Sequence, residues 1–392
     1  MRNVVIVSAV RTPFGAFGGT LKDFQVSELG SLIIKGVLSK VEINKEEVDE
    51  VILGNVLPVV ENGGNPARIA ALKAGLPFET PAWTLNINCG SGLQAINIAA
   101  QSIRYGESDA IIAGGVESMS RTAFMSEHTR WGAKLQNVQL VDGILLGLFD
   151  PASKMRMDET AEKLAKIYNI SREEQDEFAL LSQQRAEAAI KEGKLKDEIM
   201  PIEIKTRKGP TFFDTDEHPK FGLSIDTLAK LNPAFAKEGT VTAGNASGIN
   251  DGACAVLLMS EEKAKKLGIK PLAKILSYAT AGVDPSIMGI GPVNASRNAL
   301  KKIGMDISAM DLIECNEAFA AQYLSVEKEL KLNREIVNVN GGAIALGHPV
   351  SASGPRLLTT LIYELRRRDL KYGLATLCVG GGHGVSTVIE RL

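Results

Sequence analysis

The sequence predicts an α/β protein, and three observations lead to this prediction. Apolar runs typical of strands alternate with helix-like segments, a pattern that favours a largely parallel sheet covered by helices. Hydrophobic residues make up 45% of the 392 residues, which is ample for a buried core. The 38 glycines provide for many tight turns. A chain of this length is expected to form two or three domains or one large duplicated one.

Four apolar runs in the first third of the chain are predicted strands. They are residues 4–7, 51–54, 84–88 and 110–113. One helix is predicted over residues 26–40, and another begins at Cys89 and runs to about Tyr105. The glycine pair 114–115 is expected to end the fourth strand.

The same alternation returns after Gly252. Its predicted strands are residues 255–259, 272–278, 311–315 and 374–377. A helix is predicted from Pro292 to Ile303, because proline is favourable in the first turn of a helix.

The region between these two parts, residues 120–249, is more polar. Within it, Ser171 and Glu174 fit a capping box, in which each side chain bonds the other residue's backbone amide. The helix that starts there is expected to stop at Gly193. We interpret the region as an insertion that carries substrate contacts.

A weak internal repeat relates the two parts of the chain in which predicted strands and helices alternate. Residues 89–92 and 351–354 each form a small turn with a Ser-Gly pair. Each turn is followed by a helix, a buried strand and a Gly-Gly pair. Two halves related by approximate symmetry would bring both turns to one central site. Chance similarity between two αβ units is the competing explanation.

Composition and charge argue against several functional classes. A net charge of −2 disfavours a general nucleic-acid surface, although Arg207, Lys208 and Lys220 offer a local basic patch for a phosphorylated substrate. The N-terminus lacks the features of a signal peptide, and no apolar run reaches the roughly 18 residues of a membrane span. The four cysteines suggest neither a disulfide scaffold nor a zinc site, so we expect a reduced, cytoplasmic protein.

Three glycine-rich turns carry reactive side chains. They are residues 88–92 (NCGSG), 341–349 (GGAIALGHP) and 378–384 (CVGGGHG). A cysteine can be a nucleophile, a histidine can activate it, and a second cysteine can move a proton. The glycines in these turns have no side chains and would let a substrate come close to the backbone. These segments therefore predict an enzyme site.

Cys89 is the candidate nucleophile. A free thiol has a pKa near 8.5, so only a few per cent is thiolate at neutral pH. A helix N-terminus and a nearby histidine, such as His348, both favour the thiolate. The alternative is a buried structural cysteine. The flanking Gly90 and Gly92 favour the reactive role, because packing alone rarely requires glycines on both sides of a buried cysteine.

His348 and Cys378 are the other candidates, and each has a structural alternative. Pro349 disfavours helical geometry at His348, which is therefore expected just before a helix, as a general base or as a helix cap. Cys378 opens onto Gly380, where backbone amides could converge on an oxyanion, bind a phosphate or form a plain hairpin. The remaining two cysteines are predicted core residues: Cys254 and Cys315.

In combination these segments resemble the thiolases, most closely those of the bacterial acetyl-CoA acetyltransferase type. The resemblance covers essentially the whole chain and rests on residues 8–13, 114–120 and 242–248, and on the blocks around Cys89, Asn316, His348 and Cys378. It implies the thiolase fold, with two similar α/β halves in αβαβα layers and an inserted loop domain. The expected bounds are 1–119 for the N-terminal half, completed by about 250–271, then 120–249 for the inserted loop domain with CoA contacts, and 272–392 for the C-terminal half.

The resemblance also implies a reversible Claisen condensation of two acetyl-CoA to acetoacetyl-CoA and CoA. His348 would deprotonate Cys89, which takes the acyl group as a thioester, and Cys378 would remove an α-proton from the second acetyl-CoA. His348 and a water held at Asn316 would stabilise the enolate oxygen, and the amides of Cys89 and Gly380 would stabilise the tetrahedral intermediate. One well-placed donor of this kind is worth about 3–4 kcal/mol.

Coenzyme A contacts are implied by the matching segments. They are expected at Met157, Lys220, Ala243, Ser247, Met288, Ala318 and Phe319. Acetyl-CoA, acetoacetyl-CoA and CoA would be substrates and products, with no metal or prosthetic group. The resemblance further implies a homo-oligomer, a dimer or a tetramer.

The chain departs from the family's pattern at several positions. At residues 156–158 this chain has the sequence RMD, where the family usually has histidine, methionine and glycine. The family also usually has glycine in place of Ser351, alanine in place of Pro355 and glutamine in place of His383. The first departure bears on the acyl and pantetheine pocket: Arg156 could reach a carboxylate or phosphate, or point to solvent.

Two other functions stay open from the sequence. One is a degradative 3-ketoacyl-CoA thiolase of broader chain length. The other is an inactive acyl-CoA-binding thiolase relative, which the changes at Arg156 and Ser351 suggest. A carrier-protein-dependent condensing enzyme is disfavoured because such synthases pair one cysteine with two histidines. A cysteine hydrolase is disfavoured because Cys378 would have no task.

Overall fold

The computed structural model describes residues 1–60, 64–135, 137–234 and 238–392. The described residues contain these strands: β1 (Val4–Arg11), β2 (Gly15–Ala16), β3 (Glu50–Gly54), β4 (Ala82–Leu85), β5 (Ala110–Ser118), β6 (Phe124–Met125), β7 (Val141–Asp142), β8 (Phe149–Asp150), β9 (Met155–Arg156), β10 (Ile202–Thr206), β11 (Gly209–Phe213), β12 (Asn250–Ser260), β13 (Ala273–Gly282), β14 (Leu312–Cys315), β15 (Tyr372–Val379) and β16 (His383–Arg391). The α-helices are α1 (Val26–Ser39), α2 (Pro66–Ala74), α3 (Ser91–Tyr105), α4 (Gly143–Gly147), α5 (Met157–Ile167), α6 (Arg172–Lys191), α7 (Ile225–Ala229), α8 (Glu261–Lys266), α9 (Gly291–Lys301), α10 (Ala320–Leu330), α11 (Ala343–Leu346) and α12 (Val350–Arg367). Among the described helices, none combines the length and the apolar character that crossing a membrane requires.

One large sheet runs through the molecule in the order β14-β15-β16-β13-β1-β12-β5-β3-β4. The prediction of a largely parallel sheet is wrong, because only the pairs β14–β15, β3–β4 and β3–β5 are parallel. The other strand pairs of the sheet are antiparallel, and two features account for several of them. A tight glycine turn after Val379 folds β16 back onto β15. The long strand β12 lies antiparallel to both β1 and β5.

The sheet consists of two halves with the same topology. In the first half the order is β3-β5-β12-β1, and in the second it is β14-β15-β16-β13, with the same parallel and antiparallel pairs in the same places. Val337 forms a parallel bridge to Ile313 on β14, the position that β4 takes beside β3. The predicted internal repeat is therefore present in the fold, and chance similarity does not explain it.

Five layers result from this duplication, as predicted. Helices α3 and α12 share one core cluster with both half-sheets, including Leu93, Ile96, Leu357 and Leu361. Helices α1 and α2 cover the outer face of the first half-sheet, and α9 and α10 cover that of the second. Burial on both faces of each half-sheet accounts for the continuous apolar strands in the sequence.

Glycines allow the two central helices to cross in direct contact. A Cβ at Gly92 in α3 would lie 2.1 Å from the carbonyl oxygen of Ser351 and 2.6 Å from the ring of Pro355. A Cβ at Gly354 in α12 would lie 2.7 Å from Cβ of Leu93. The first turns of both helices, which follow the predicted reactive segments, meet at this crossing.

Several predicted boundaries need correction. Strand β5 continues through Gly114 and Gly115, because these glycines allow close approach: added Cβ atoms would meet Cys254 and Ser351 carbonyl oxygens at 2.1 and 2.0 Å. The strand predicted over 84–88 ends at Leu85, and helix α3 begins at Ser91, two residues after Cys89.

The described part of the polar middle region contributes no named strand to the large sheet, although Ile199 forms a parallel bridge to Arg11 at the end of β1. Its strands β6 to β11 pair only with one another in the described chain. The predicted capping box is confirmed, since Ser171 Oγ accepts from the Glu174 amide and the Glu174 carboxylate accepts from the Ser171 amide. The proposed bounds of the inserted domain, 120–249, stay a prediction, and residues 136 and 235–237 within them lie outside the described residues.

The crossing of α3 and α12 generates a stability prediction for Gly92→Ala. Alanine in a helix normally adds up to about 1 kcal/mol of stability relative to glycine. Here the added methyl group would collide with Ser351 and Pro355, and overpacking costs about 1–3 kcal/mol. We therefore expect a lower urea midpoint by tryptophan fluorescence.

Gly282→Ala is the matched control for this prediction. A Cβ at Gly282 meets no described atom within 4 Å, so its midpoint should stay close to that of the parent. An unchanged or raised midpoint for Gly92→Ala would contradict the close crossing.

Candidate active site

Two of the predicted reactive turns meet at a small cavity. Asn88 donates a hydrogen bond from Nδ2 to the carbonyl oxygen of Gly380 at 2.9 Å, which joins the turn of Cys89 to the turn after Cys378. The cavity holds about 30 Å³. Its lining is largely apolar: Val56, Leu57, Asn88, Cys89, Met119, Ile144, Gly147, Leu148, Met157, Val350 and Gly380.

The local backbone directs Cys89 into this cavity. Asn88 has a φ of 53°, a left-handed conformation that asparagine tolerates better than most side chains. Ser91 Oγ accepts from the amide of Ile87 at 2.9 Å and donates to the carbonyl of Asn88 at 2.6 Å. The turn is thus fixed by its own side chains immediately before α3.

Burial dominates the electrostatics of Cys89. The apolar surroundings raise the pKa of its thiol to about 11, although the backbone amides of Gly380 and Cys89 act in the opposite direction. The effect expected from the helix N-terminus and a histidine, which would favour the thiolate, is therefore outweighed by burial. Because these two amides favour negative charge on the sulfur, they are candidates to stabilise negative charge on a reacting oxygen.

His348 precedes α12, as predicted, but it is not a helix cap. Its backbone amide donates to Asn250 Oδ1 at 3.0 Å, and its ring Nδ1 lies 2.5 Å from Ser353 Oγ. No described residue bonds to Nε2, which is buried. Burial and the positive charge of Arg356 lower the ring's pKa to about 4, so the imidazole is neutral at pH 7.

Asn316 lies directly after β14, and its side chain is fully buried. Its backbone amide donates to the carbonyl of Thr376 at 3.0 Å. Neither of its side-chain amide atoms has a hydrogen-bond partner among the described residues. Because an unpaired buried amide is costly, a site that leaves both atoms open is typical of a binding role.

Cys378 lies near the end of β15 within an apolar cluster. Met288 and Ala318 pack with it, and Met157 and Phe319 lie against the same cluster. Burial and the proximity of Cys89 and Cys315 raise the pKa of the Cys378 thiol well above its usual value. Both candidate thiols are therefore protonated at neutral pH.

The predicted CoA-contact residues are divided between this cluster and its rim. Five of them lie in the cluster or join it: Met157, Met288, Ala318, Phe319 and Ser247, whose amide donates to the carbonyl of Ala318 at 2.9 Å. Lys220 and Ala243 are exposed and lie outside the cluster. Met157 also faces the turn, since a Cβ at Gly380 would lie 3.3 Å from its sulfur.

The departures at Arg156 and Ser351 have structural explanations. Arg156 forms a two-pronged ion pair with Asp158, with both N–O distances 3.0 Å, so it reaches a carboxylate within the chain itself. Ser351 donates from its hydroxyl to the carbonyl of Val116 at 2.8 Å. Neither side chain lines the cavity beside Cys89.

The predicted core cysteines are confirmed, and several residues of the site were missed. Cys254 and Cys315 are fully buried within strands. The missed polar residues are Asn88, Asn250 and Ser353, and the missed apolar ones include Ile144 and Leu148. Ser353 was visible as a small residue one turn after His348, but a contact across one turn is not specific enough to predict.

Comparison with known proteins identifies the family. The family model described as "Thiolase, N-terminal domain" matches residues 4–262, and "Thiolase, C-terminal domain" matches residues 269–391. Among curated proteins, the chain is 54% identical to the "Acetyl-CoA acetyltransferase" of Pseudomonas aeruginosa, over 100% of both chains. It is 56% identical to the "Acetyl-CoA acetyltransferase" of Chromobacterium violaceum, over 99% of each.

Solved structures agree with this similarity. The acetyl-CoA acetyltransferase of Bacillus anthracis superposes with a TM-score of 0.98 at 49% identity, covering 100% of this chain and 99% of that one. Human mitochondrial 3-ketoacyl-CoA thiolase in complex with CoA superposes with a TM-score of 0.97 at 47% identity, covering 100% and 98%.

The raised pKa of Cys89 predicts how its alkylation depends on pH. With a pKa of about 11, the thiolate fraction grows about tenfold for each pH unit. We expect the rate of Cys89 carbamidomethylation by iodoacetamide, followed by peptide mass spectrometry, to rise continuously from pH 7 to pH 9.5. The fully buried Cys254 serves as the internal control and should remain unmodified. A plateau below pH 8 would contradict the dominance of burial.

Proposed function

The chain belongs to the thiolase family, and we propose that it is an acetyl-CoA C-acetyltransferase that condenses two acetyl-CoA into acetoacetyl-CoA and CoA. The family match makes it an acyltransferase, and the curated relatives with similarity over the full length carry this activity in their names. The same machinery run backwards cleaves acetoacetyl-CoA with free CoA.

The size of the cavity beside Cys89 is the observation that supports acetyl transfer. About 30 Å³ has room for a group of very few heavy atoms, such as acetyl, whereas pockets for larger ligands hold about 300 Å³ or more. Ile144, Leu148 and Met119 close the cavity with apolar side chains. A long acyl chain on Cys89 would have to displace them. The cavity therefore favours acetyl transfer over the degradation of long 3-ketoacyl-CoA.

The proposed first half-reaction starts from a protonated Cys89 and a neutral His348. The thiol of Cys89 loses its proton to the free Nε2 of neutral His348 as the sulfur attacks the thioester carbon. The amides of Cys89 and Gly380 stabilise the oxyanion of the tetrahedral intermediate. When the intermediate collapses, CoA leaves as a thiolate. Cys378 protonates this leaving group, because its raised pKa means that it still holds its proton at this stage, and it becomes a thiolate.

The second half-reaction uses the charges that the first one leaves. Cys378 is now a thiolate and removes an α-proton from the second acetyl-CoA. The enolate oxygen accepts from the protonated Nε2 of His348, and a water on Asn316 would give a second hydrogen bond. The enolate carbon attacks the acetyl group on Cys89. As the new tetrahedral intermediate collapses, the Cys89 sulfur takes its proton back from His348, so the proton count balances over the cycle.

The remaining assignments are part of the same proposal. We assign the pantetheine arm to the apolar cluster of Met157, Met288, Ala318 and Phe319, beside Ser247. The exposed Lys220 and Ala243 would contact the nucleotide end of CoA, where a lysine can pair with phosphate. No metal or prosthetic group takes part in these steps. We also propose a cytoplasmic homo-oligomer, a dimer or a tetramer.

The central test compares the parent chain with Cys89→Ala and Cys378→Ala. CoA-dependent loss of acetoacetyl-CoA should be measurable in the parent and reduced by at least about a thousandfold in both variants, because each removes a reacting group. Acetyl-CoA labelled in its acyl group should leave a covalent label on Cys89 in the parent and in Cys378→Ala, but not in Cys89→Ala. An inactive parent that still binds CoA would support the inactive relative instead.

Enlarging the acyl cavity should change chain-length preference. Leu148→Ala removes three carbon atoms from the cavity wall, so we expect cleavage of 3-ketohexanoyl-CoA to rise relative to acetoacetyl-CoA by about tenfold. Leu145→Ala is the matched control, since Leu145 is exposed on helix α4, three residues before Leu148, and does not line the cavity. Equal ratios of kcat/KM in both variants would show that this wall does not select the chain length.

A further inference from the structure

The two ring nitrogens of His348 lie in different surroundings. Nδ1 is 2.5 Å from the hydroxyl oxygen of Ser353, in the first turn of α12. Nε2 is buried and has no partner among the described residues. The proposed mechanism needs Nε2 to accept the Cys89 proton, so the ring must start with its single proton on Nδ1.

The hydrogen bonds of Ser353 favour one of the two positions for that proton. Its hydroxyl has one hydrogen, and it donates this hydrogen to the carbonyl oxygen of Pro349 at 3.0 Å. Toward His348 the oxygen therefore presents a lone pair, which can only accept from an N–H at Nδ1. Serine that bonds back to the carbonyl four residues earlier is a common arrangement in helices.

We infer that Ser353 is a positioning residue that holds His348 in its Nδ1–H tautomer, which leaves the Nε2 lone pair free to act as the base for Cys89. The histidine backbone is fixed as well. Asn250 Oδ1 accepts from the His348 amide at 3.0 Å, and Gly347, with a φ of 98°, packs so closely that a Cβ there would lie 2.5 Å from Asn250.

This assignment explains how one nitrogen performs two tasks. The Sγ–H bond of Cys89 breaks and the proton moves to Nε2, which gives a thiolate and an imidazolium. The Nδ1–H bond to Ser353 persists, and Nε2–H then donates to the enolate oxygen until the proton returns to the Cys89 sulfur. Ser353 neither gains nor loses a proton. The positive charge of Arg356 disfavours the protonated ring of His348. The Ser353 oxygen, which accepts the hydrogen bond from Nδ1, stabilises the protonated ring.

The kinetic test compares Ser353→Ala with Ser351→Ala and Ser353→Thr. Ser353→Ala should lower kcat for acetoacetyl-CoA cleavage by about 10–100-fold with KM changed less than about threefold, because the base loses its tautomer and not its substrate. Ser353→Thr keeps the hydroxyl and should recover most of kcat.

Ser351→Ala is the matched control in this series. It removes another buried hydroxyl from the same helical turn, one that bonds Val116 and not His348. Its kcat should stay within about twofold of the parent. Thermal melts of all variants show whether a loss of activity comes from a loss of folding or from a change in the tautomer of His348. A Ser353→Ala enzyme with parental kcat would overturn the inference.

A direct measurement on the parent decides the tautomer independently of activity. The chain has only four histidines, so selective ¹⁵N-histidine labelling gives few signals, and His348→Asn identifies the one of interest. At pH 7.5 we expect a protonated Nδ1 and an unprotonated Nε2. A protonated Nε2 in the neutral ring would overturn the inference.

The inference rests on the proposed function, and the two can fail separately. An inactive parent would refute the acetyltransferase proposal, and the ¹⁵N spectrum would then decide the tautomer of His348 by itself. An active parent with hydrogen on Nε2 would refute the role of Ser353 alone.

Discussion

The site depends on the close crossing of α3 and α12, the two helices at the centre of the five layers. Gly92 and Gly354 lack the side chains that would keep the helix backbones apart. The first turn of each helix follows one reactive segment, so the crossing brings the loop of Cys89 and the loop of His348 to the same end of the central layer. The position of the chemistry is thus set by packing between two glycines and their neighbours.

Burial then decides the chemical state of the site. Because charged forms are costly in an apolar environment, both thiols are protonated and the imidazole is neutral before substrate arrives. Donors for negative charge are nevertheless already in place: two backbone amides at Cys89, and an asparagine without a partner in the described chain. A site of this kind stabilises negative charge that develops in the transition state more than charge on the residues before reaction. Electrostatic catalysis requires this arrangement.

Buried carboxylates hold the loops around this neutral centre. Glu117 accepts hydrogen bonds from the amides of Leu57 and Ser351, which joins a wall of the cavity beside Cys89 to the start of α12. Glu317 accepts from Ser182 and Asn338, which joins the inserted region to the segment after β14. Burial raises the pKa of both acids, and these donors lower it in turn. The carboxylates therefore act as rigid connections between elements distant in sequence.

The sequence alone determined the local features of this protein. Glycine and proline positions, apolar periodicity and the capping box of Ser171 depend on neighbouring residues, so they predicted the α/β class, the duplicated halves and the three reactive turns. The motifs around Cys89, His348 and Cys378 likewise led to the thiolase resemblance.

Only the tertiary structure decided how these pieces meet. The direction of β12 and β16 in the sheet, the raised pKa of Cys89 and the size of the cavity beside it all depend on residues far apart in the chain. The same holds for the bond from Asn88 to Gly380, which spans 292 positions. Ser353 shows the limit most clearly: it stands five residues from His348, yet its role depends on a side-chain geometry that sequence spacing leaves undetermined.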